Sequence, residues 1–402
     1  MCSKPVNKEI IYQPAREIPE SRRKVARQQD EDASQSPDNS LQEMEDENPE
    51  ENGSITLPYD VVAMIFKNLD AKDLCTSAKV CRLWQEVANS ELGSRGPMID
   101  LASWADVFQS CHTDKFPRNL TNKPMLGFLF SAEDSLPRDC FAKHFPKNCV
   151  SLVIQPYGLV LNNREYETAR ARVVYGYFPE SSEVNIEYIL GKNAQVLHLN
   201  KDLEILSNGN QPQRLTVINS MVQGAKNRLK GIKCMILMTA NDFTHERELA
   251  ELTGITGNVP ALWGGAAQKL IVCKRTSDGN RGWENVLWIA ILIGGPNVKS
   301  WSIIIKRSER SVKQIRDRLL TLKENVQPMK NTVGFIFTCI GRGSSMHGSK
   351  NVESTIFKEI FPHIPLMGAF GNGEFGFDCN DKKVDKSAYH QYSTSFMILT
   401  YN

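Results

Sequence analysis

No long hydrophobic run occurs in this chain. The longest strongly apolar stretch, Val286–Gly295, is far shorter than the roughly 20 residues a membrane-spanning helix needs, so it reads as a buried strand. The N-terminus is polar and charged, and no secretory leader is expected from it. None of the ten cysteines forms C-x-x-C, and most lie inside apolar runs. That spacing supports neither a zinc site nor a disulfide framework, so the thiols are expected to be reduced and buried and no metal or cofactor is expected. Charge of one sign is also scarce: the net formal charge is +2, which argues against a nucleic-acid or membrane partner. Residues 1–53 lack any apolar stripe, and Asp30–Glu51 holds ten acids with no Lys or Arg. Such a segment cannot offset its ordering entropy by burial and is expected to be disordered. Arg22-Arg23-Lys24 before it reads either as a nuclear import signal or as solvated charge. Both cytoplasm and nucleus are expected locations.

The remaining sequence is ordinary globular protein, 41% apolar and 23% charged over 402 residues, with room for two or three domains. Its most informative stretch is Leu57–Ser90. Pro58 suits a first helical turn, where its missing N–H would be unpaired anyway. Val61, Val62, Ile65, Phe66 and Leu69 then form a helical stripe. Asp70 with Asp73 predicts an N-cap and a first-turn acid for a second helix carrying Leu74 and Ala78. A third helical segment presents Val80, Cys81, Trp84, Val87 and Ala88. The apolar residues exceed what one buried face needs, so part of them should await a partner.

The Leu57-Pro58 opening, Ile65-Phe66, Leu69, Leu74, Val80-Cys81 and Trp84 match the F-box family in type and spacing, and residues 54–97 resemble that family. The resemblance implies a docking module for the Skp adaptor, and through it a cullin–RING ubiquitin ligase. Leu57, Pro58, Val62, Ile65, Phe66, Leu69, Leu74, Val80, Cys81 and Trp84 are the adaptor-contacting residues it implies. The bland alternative is that the trio is only a small subdomain core.

Gly93–Pro97 closes this module, and Trp104, Val107 and Phe108 suggest a strand or short helix behind it. From Pro124 onward strands and helices alternate. Strands are expected at 125–130, 151–160 (broken at Pro-Tyr-Gly), 169–178, 194–199 and 233–240. Residues 259–273 read as strand, glycine turn, strand. Val286–Gly295 and 300–307 read as a strand pair joined by Gly-Pro-Asn. Helices are expected at 140–146, 245–254 and Ser311–Leu322. An internal echo links 127–158 with 334–373, each running strand, helix, Phe-Pro, strand, glycine turn, with a weaker third copy at 233–265. Two related halves, 98–285 and 286–402, are the expected arrangement. The fold class is therefore multidomain: a small all-α F-box, then a mixed-sheet α/β region.

Two glycine loops stand out in that region. Gly341-Arg342-Gly343 follows the strand ending at Cys339; glycines there bring backbone N–H groups together, for a turn or for recognition. Gly371-Asn372-Gly373-Glu374 contains Asn-Gly, the signal for a type I′ hairpin turn. Should the loops meet, Arg342 and Glu374 could line a polar pocket. Cys339, with His347 eight residues on, could be a nucleophile or simply a small strand-end residue. Arg342, if its side chain points that way, would lower its pKa and make it the most alkylation-sensitive thiol of the folded C-terminal domain. His363, His390 and Asp378 have no metal-ligand spacing. Gly334-Phe335, Cys339, Gly341-Arg342-Gly343, Phe361-Pro362, Pro365-Leu366 and Gly371-Asn372-Gly373-Glu374 resemble the C-terminal part of a FIST domain. That resemblance implies substrate or ligand binding at Cys339, Gly341, Arg342, Gly343, Gly371, Asn372, Gly373 and Glu374.

An F-box ahead of such a region implies the substrate receptor of a ubiquitin ligase, without catalysis of its own. A small-molecule sensor is the alternative. An enzyme using Cys339 lacks a positioned base and orienter.

Overall fold

The computed structural model describes residues 57–107, 120–133, 149–168, 171–193, 195–199, 203–207, 211–240, 260–275, 281–378 and 388–402. The expected tail at 1–53 and the helices expected at 140–146 and 245–254 lie outside the described residues. The chain opens with three short helices, α1 (Tyr59–Phe66), α2 (Ala71–Ser77) and α3 (Arg82–Ser94). The Asp70 side chain caps α2 by accepting from Asp73 N at 2.8 Å, as its position predicts.

The trio is tied to the first strands behind it. Ala71 N donates to Leu120 O, and Arg95 Nη1 donates to Thr121 O at 2.6 Å while its Nη2 reaches Phe66 O. Asn122 Nδ2 donates to the carbonyls of Gly96 and Tyr177.

Twenty strands come next among the described residues. The first are β1 (Met98–Ser103), β2 (Pro124–Ser131), β3 (Val150–Gln155), β4 (Gly158–Leu161), β5 (Arg164–Tyr166) and β6 (Arg172–Pro179). After them are β7 (Asn185–Lys192), β8 (Gln195–Leu199), β9 (Leu203–Ser207), helix α4 (Gln211–Arg228), β10 (Ile232–Ala240), β11 (Ala261–Ala267), β12 (Lys269–Arg275) and β13 (Arg281–Val286). The last are β14 (Trp288–Gly294), β15 (Lys299–Ile305), α5 (Val312–Asn325), β16 (Asn331–Cys339), α6 (Ser344–His347), α7 (Val352–Ile360), β17 (Leu366–Gly371), β18 (Glu374–Gly376), β19 (Tyr389–His390) and β20 (Thr394–Tyr401). Ser311 caps α5 in a full capping box with Gln314, which is why that helix starts where the sequence says. Helix α4 is not anticipated by the sequence analysis, although Ile218, Met221, Val222 and Ala225 are spaced for one buried face.

Among the described residues three sheets form, ordered β1-β6-β2-β3-β12-β13, β7-β14-β10-β11-β18-β19 (extended by β8 and β9 beyond β7) and β15-β20-β16-β17-β4-β5. The same plan recurs in each. Its centre is one parallel pair: β2 with β3, β10 with β11, β16 with β17. These pairs are the three echoes in the sequence, so the repeat is threefold, not the two halves expected. Gly264 and Gly368 occupy equivalent places in two copies; a Cβ at either would lie 1.7 Å from the carbonyl oxygen of the neighbouring strand, Leu237 O or Ile336 O.

After each parallel pair the chain leaves its sheet and adds a hairpin to another. Strands β4–β5 join β17, β12–β13 join β3, and β18–β19 join β11. The three crossings meet in a ring of equivalent hydrogen bonds: Gln268 N to Gln155 O, Tyr157 N to Phe370 O, and Asn372 N to Ala266 O, at 2.8 to 2.9 Å. The backbone amides freed by leaving one sheet are thereby paired. The boundary expected at 285/286 separates no two bodies, because β7, β10, β14 and β18 share one sheet.

Several local expectations fail for the same reason. Residues 286–295 and 300–307 do not pair with each other: β14 pairs β10 and β7, while β15 pairs β20 in another sheet. Gly264-Gly265 lie inside β11, and the break falls at Gln268. Asn372-Gly373 joins β17 to β18 across two sheets and closes no hairpin; of the two residues, only Gly373 has positive φ.

Inner faces of all three sheets meet in one core, with Phe128, Ile236 and Phe335 at equivalent positions. Aromatic rings pack closely there, Trp263 lying 4.9 Å from Phe335 and Phe128 6.2 Å from it. Outer faces are covered by α4 on one sheet and by α5 and α7 on another. Trp104 and Val107, in the short helix at residues 104–107, pack on the third.

Candidate functional site

The helical trio divides its apolar residues between two environments. Val62, Phe66, Leu74, Val87 and Ala88 make its own small core. Trp84 packs edge-on against Phe66 at 5.3 Å and is half-buried, as is Leu69. Leu57, Pro58, Ile65, Val80 and Cys81 lie in the open. Of the ten residues singled out for adaptor contact, Val62, Phe66 and Leu74 are thus consumed internally and cannot be surface anchors without unfolding the trio.

The sequence reading missed Tyr59, Val61 and Met64, all exposed, Met64 by 67%. Their signal was available: Leu57, Val61, Met64 and Ile65 recur at helical spacing, so they share a face opposite Val62 and Phe66. Six of the eleven exposed large apolar side chains among the described residues belong to this trio. Such a concentration on one small module marks an interaction face.

The glycine-loop residues behave otherwise. Arg342, Gly343, Gly371, Gly373, Glu374 and Cys339 are buried, Gly341 is half-buried, and only Asn372 is exposed. Arg342 and Glu374 line no shared pocket. The Arg342 guanidinium pairs with Glu353 at 2.7 Å, both side chains almost wholly buried, and also donates to the carbonyls of Lys306, Tyr392 and Glu309. His347 Nε2 shares the same Glu353 oxygen at 3.1 Å, and Thr394 donates to the other. Burial alone would push the Glu353 carboxyl up; the His347 hydrogen bond and the Arg342 charge outweigh it and hold the group below its ordinary value.

Glu374 accepts from Ser393 N at 3.0 Å, from Ser393 Oγ at 2.6 Å and from Gly373 N at 3.1 Å. Burial nevertheless dominates and raises its pKa to about 7. Cys339 is not activated. Burial first, then the Glu374 carboxylate, pushes its thiol up rather than down. His347 is engaged with Glu353, so the Cys–His pairing finds no geometry here. Brief limiting alkylation read by mass spectrometry is therefore expected to label the exposed Cys81 well before Cys339.

Between the sheets, a cavity of about 10 Å³ is lined by Met125, Phe128, Phe178, Ile236, Phe335 and Tyr401 among others. It has room for about one water and is apolar, which suits neither a metabolite nor an ion. No group of metal-ligating side chains occurs among the described residues.

Comparison with known proteins agrees with this division. A family model described as F-box-like matches residues 55–93, and one described as FIST C domain matches 302–377. F-box only protein 22 of Homo sapiens is 32% identical over 123 residues, covering 28% of this chain and 30% of that protein. Its counterpart in Pongo abelii is 31% identical over the same span. An F-box/LRR-repeat protein of Arabidopsis thaliana is 30% identical over 104 residues, covering 24% of this chain and 20% of that protein. The match thus spans less than a third of the length of these curated relatives. Among solved structures, a cyanuric acid hydrolase from A. caulinodans aligns with 76% of this chain and 99% of its own at 6% identity and a TM-score of 0.33, too remote to inform fold or chemistry. The chain is therefore one that carries an F-box-like segment followed by a FIST C domain, and over the matched region it is similar to F-box only protein 22.

Proposed function

We propose that this chain is the substrate-recognition subunit of an Skp adaptor–cullin–F-box ubiquitin ligase, with no catalysis of its own. The helical trio docks the adaptor, and the FIST region holds a protein substrate for ubiquitination. The observation that carries this reading is the set of open apolar side chains on the trio, Leu57, Tyr59, Val61, Met64, Ile65 and Val80, which its own core does not use. Helix recognition of this kind places branched and aromatic anchors at a desolvated interface centre.

Substitutions separate docking from folding. Met64→Glu and Ile65→Glu lie on the open face, so each is expected to weaken co-purification of the Skp adaptor about thirtyfold, the equivalent of about 2 kcal/mol for one anchor, with the fold intact. Phe66→Ala would instead hollow the trio's core at about 3–5 kcal/mol and lose the adaptor by unfolding. Full adaptor recovery with Met64→Glu plus Ile65→Glu would remove the receptor reading.

A further inference from the structure

A second exposed cluster lies on the FIST side, directly beside the buried glycine-loop residues. Tyr392 sits between β19 and β20 with φ of +53°, the left-handed region that a bulky side chain rarely adopts. Glycine or asparagine would fit that turn at lower cost, yet the chain places a tyrosine there and leaves 48% of it exposed. Buried polar groups hold it in place. Arg342 Nη1 donates to Tyr392 O, Glu374 accepts from Ser393, and Cys339 N donates to Ser393 O at 3.0 Å. Gly341 lies against the ring; a Cβ there would be 3.1 Å from it.

Ile340, 45% exposed, adjoins Gly341 in the short 3-10 turn that follows β16. The Arg307 guanidinium lies 4.7 Å above the Tyr392 ring. The loop that carries it is fixed by the same Arg342, which donates to Lys306 O and Glu309 O. One buried guanidinium therefore sets the positions of both the aromatic ring and the cation over it. Lys306, Arg307 and Arg310 are exposed, while the nearby Glu309 is committed to Arg318 at 3.2 Å. The rim is positive. Strained, over-determined display of a side chain is a mark of function, since a purely structural turn would relax.

We propose that Ile340, Tyr392 and Arg307 form a reading surface for a short linear segment of a protein partner, one carrying an aromatic or branched apolar side chain flanked by acidic residues. The apolar side chain packs on Ile340 and Tyr392, and the acids pair with Arg307, Lys306 and Arg310. This gives the FIST region its substrate class and rests on the receptor reading above. An extended segment can meet two apolar side chains and a basic rim at once, and is the partner proposed.

The test uses the full-length chain and fluorescence anisotropy with two labelled dodecapeptides. One has a leucine-phenylalanine pair flanked by glutamates; the other has lysines in place of the glutamates. The acidic peptide is expected to bind at least tenfold more tightly, and to weaken as salt rises. Tyr392→Gly, which relieves the backbone strain, and Arg307→Glu should each weaken it at least tenfold without lowering the melting temperature. Equal binding of both peptides, binding of neither, or acidic-peptide binding untouched by both variants would overturn the proposal. Adaptor co-purification with the same variants keeps the two readings apart. Adaptor bound without the acidic peptide removes this surface alone, and peptide bound without adaptor supports the surface while removing the ligase reading.

Discussion

Glu353→Gln is expected to destabilise the protein by about 3–5 kcal/mol, seen as a lower urea midpoint. The substitution removes the carboxylate paired with Arg342, whose side chain is fully buried, and so leaves an uncompensated charge inside the protein. Arg342→Met combined with Glu353→Leu should recover only part of the loss: it strands neither ion, but it leaves Thr394 and the carbonyls of Lys306, Glu309 and Tyr392 without this partner. The wild-type pH profile carries the same signature. Glu353 is held below its ordinary value, so the stability it contributes is present above the ordinary carboxylate range and is lost as the pH falls through its lowered folded value. A Glu353→Gln protein as stable as wild type would show that the surrounding carbonyls alone suffice for Arg342.

Glu374 is expected to act with the opposite sign. Its folded pKa is about 7 against an ordinary 4.5, so the folded chain holds the proton more tightly than the unfolded one. The proton favours the fold. The contribution is complete below about pH 4.5, declines as the pH rises toward 7, and is flat above that, a total of about 3 kcal/mol at about 1.4 kcal/mol per unit. Glu374→Gln, neutral at every pH, should gain on wild type by about that amount between pH 5 and pH 8. Urea denaturation of both proteins across that range measures the difference. A constant difference with pH would mean that Ser393 and Gly373 solvate the carboxylate better than its burial suggests.

Much of the fold could be read from the sequence, and the failures share one cause. The second helix was legible because capping is local, Asp70 acting within one turn, and the 311–322 helix because its apolar residues recur at helical spacing. The three parallel pairs were legible as echoes because each repeats the same run of apolar strand residues. No local pattern specified the sheet each hairpin would join. Strands such as β14 and β16 are buried on both faces, so they carry no alternation that would fix a partner. The Asn-Gly signal at 372–373 was overruled by the crossing between sheets.

At the site, the glycine motifs drew attention to Arg342, Glu374 and Cys339, and these are the buried supports. The exposed residues they hold, Ile340, Tyr392 and Arg307, lie beside the motifs or far from them in sequence. The stripe Val61, Val62, Ile65, Phe66 and Leu69 is divided by the fold: Val62 and Phe66 enter the trio's core, while Val61 and Ile65 stay in the open with Met64 and Tyr59.

The cyclic exchange of hairpins also bears on how the chain is made. A ribosome releases β2 and β3 long before β12, the strand that flanks β3, because more than a hundred residues separate them. Strand β4 waits longer still for β17. Newly made protein must therefore keep apolar strand edges unpaired until its last third emerges, a condition that slows maturation and invites aggregation. By the same logic, a fragment cut to 302–377 would leave β17 without β4 and β16 without β20, and is expected to emerge insoluble rather than as a smaller working piece.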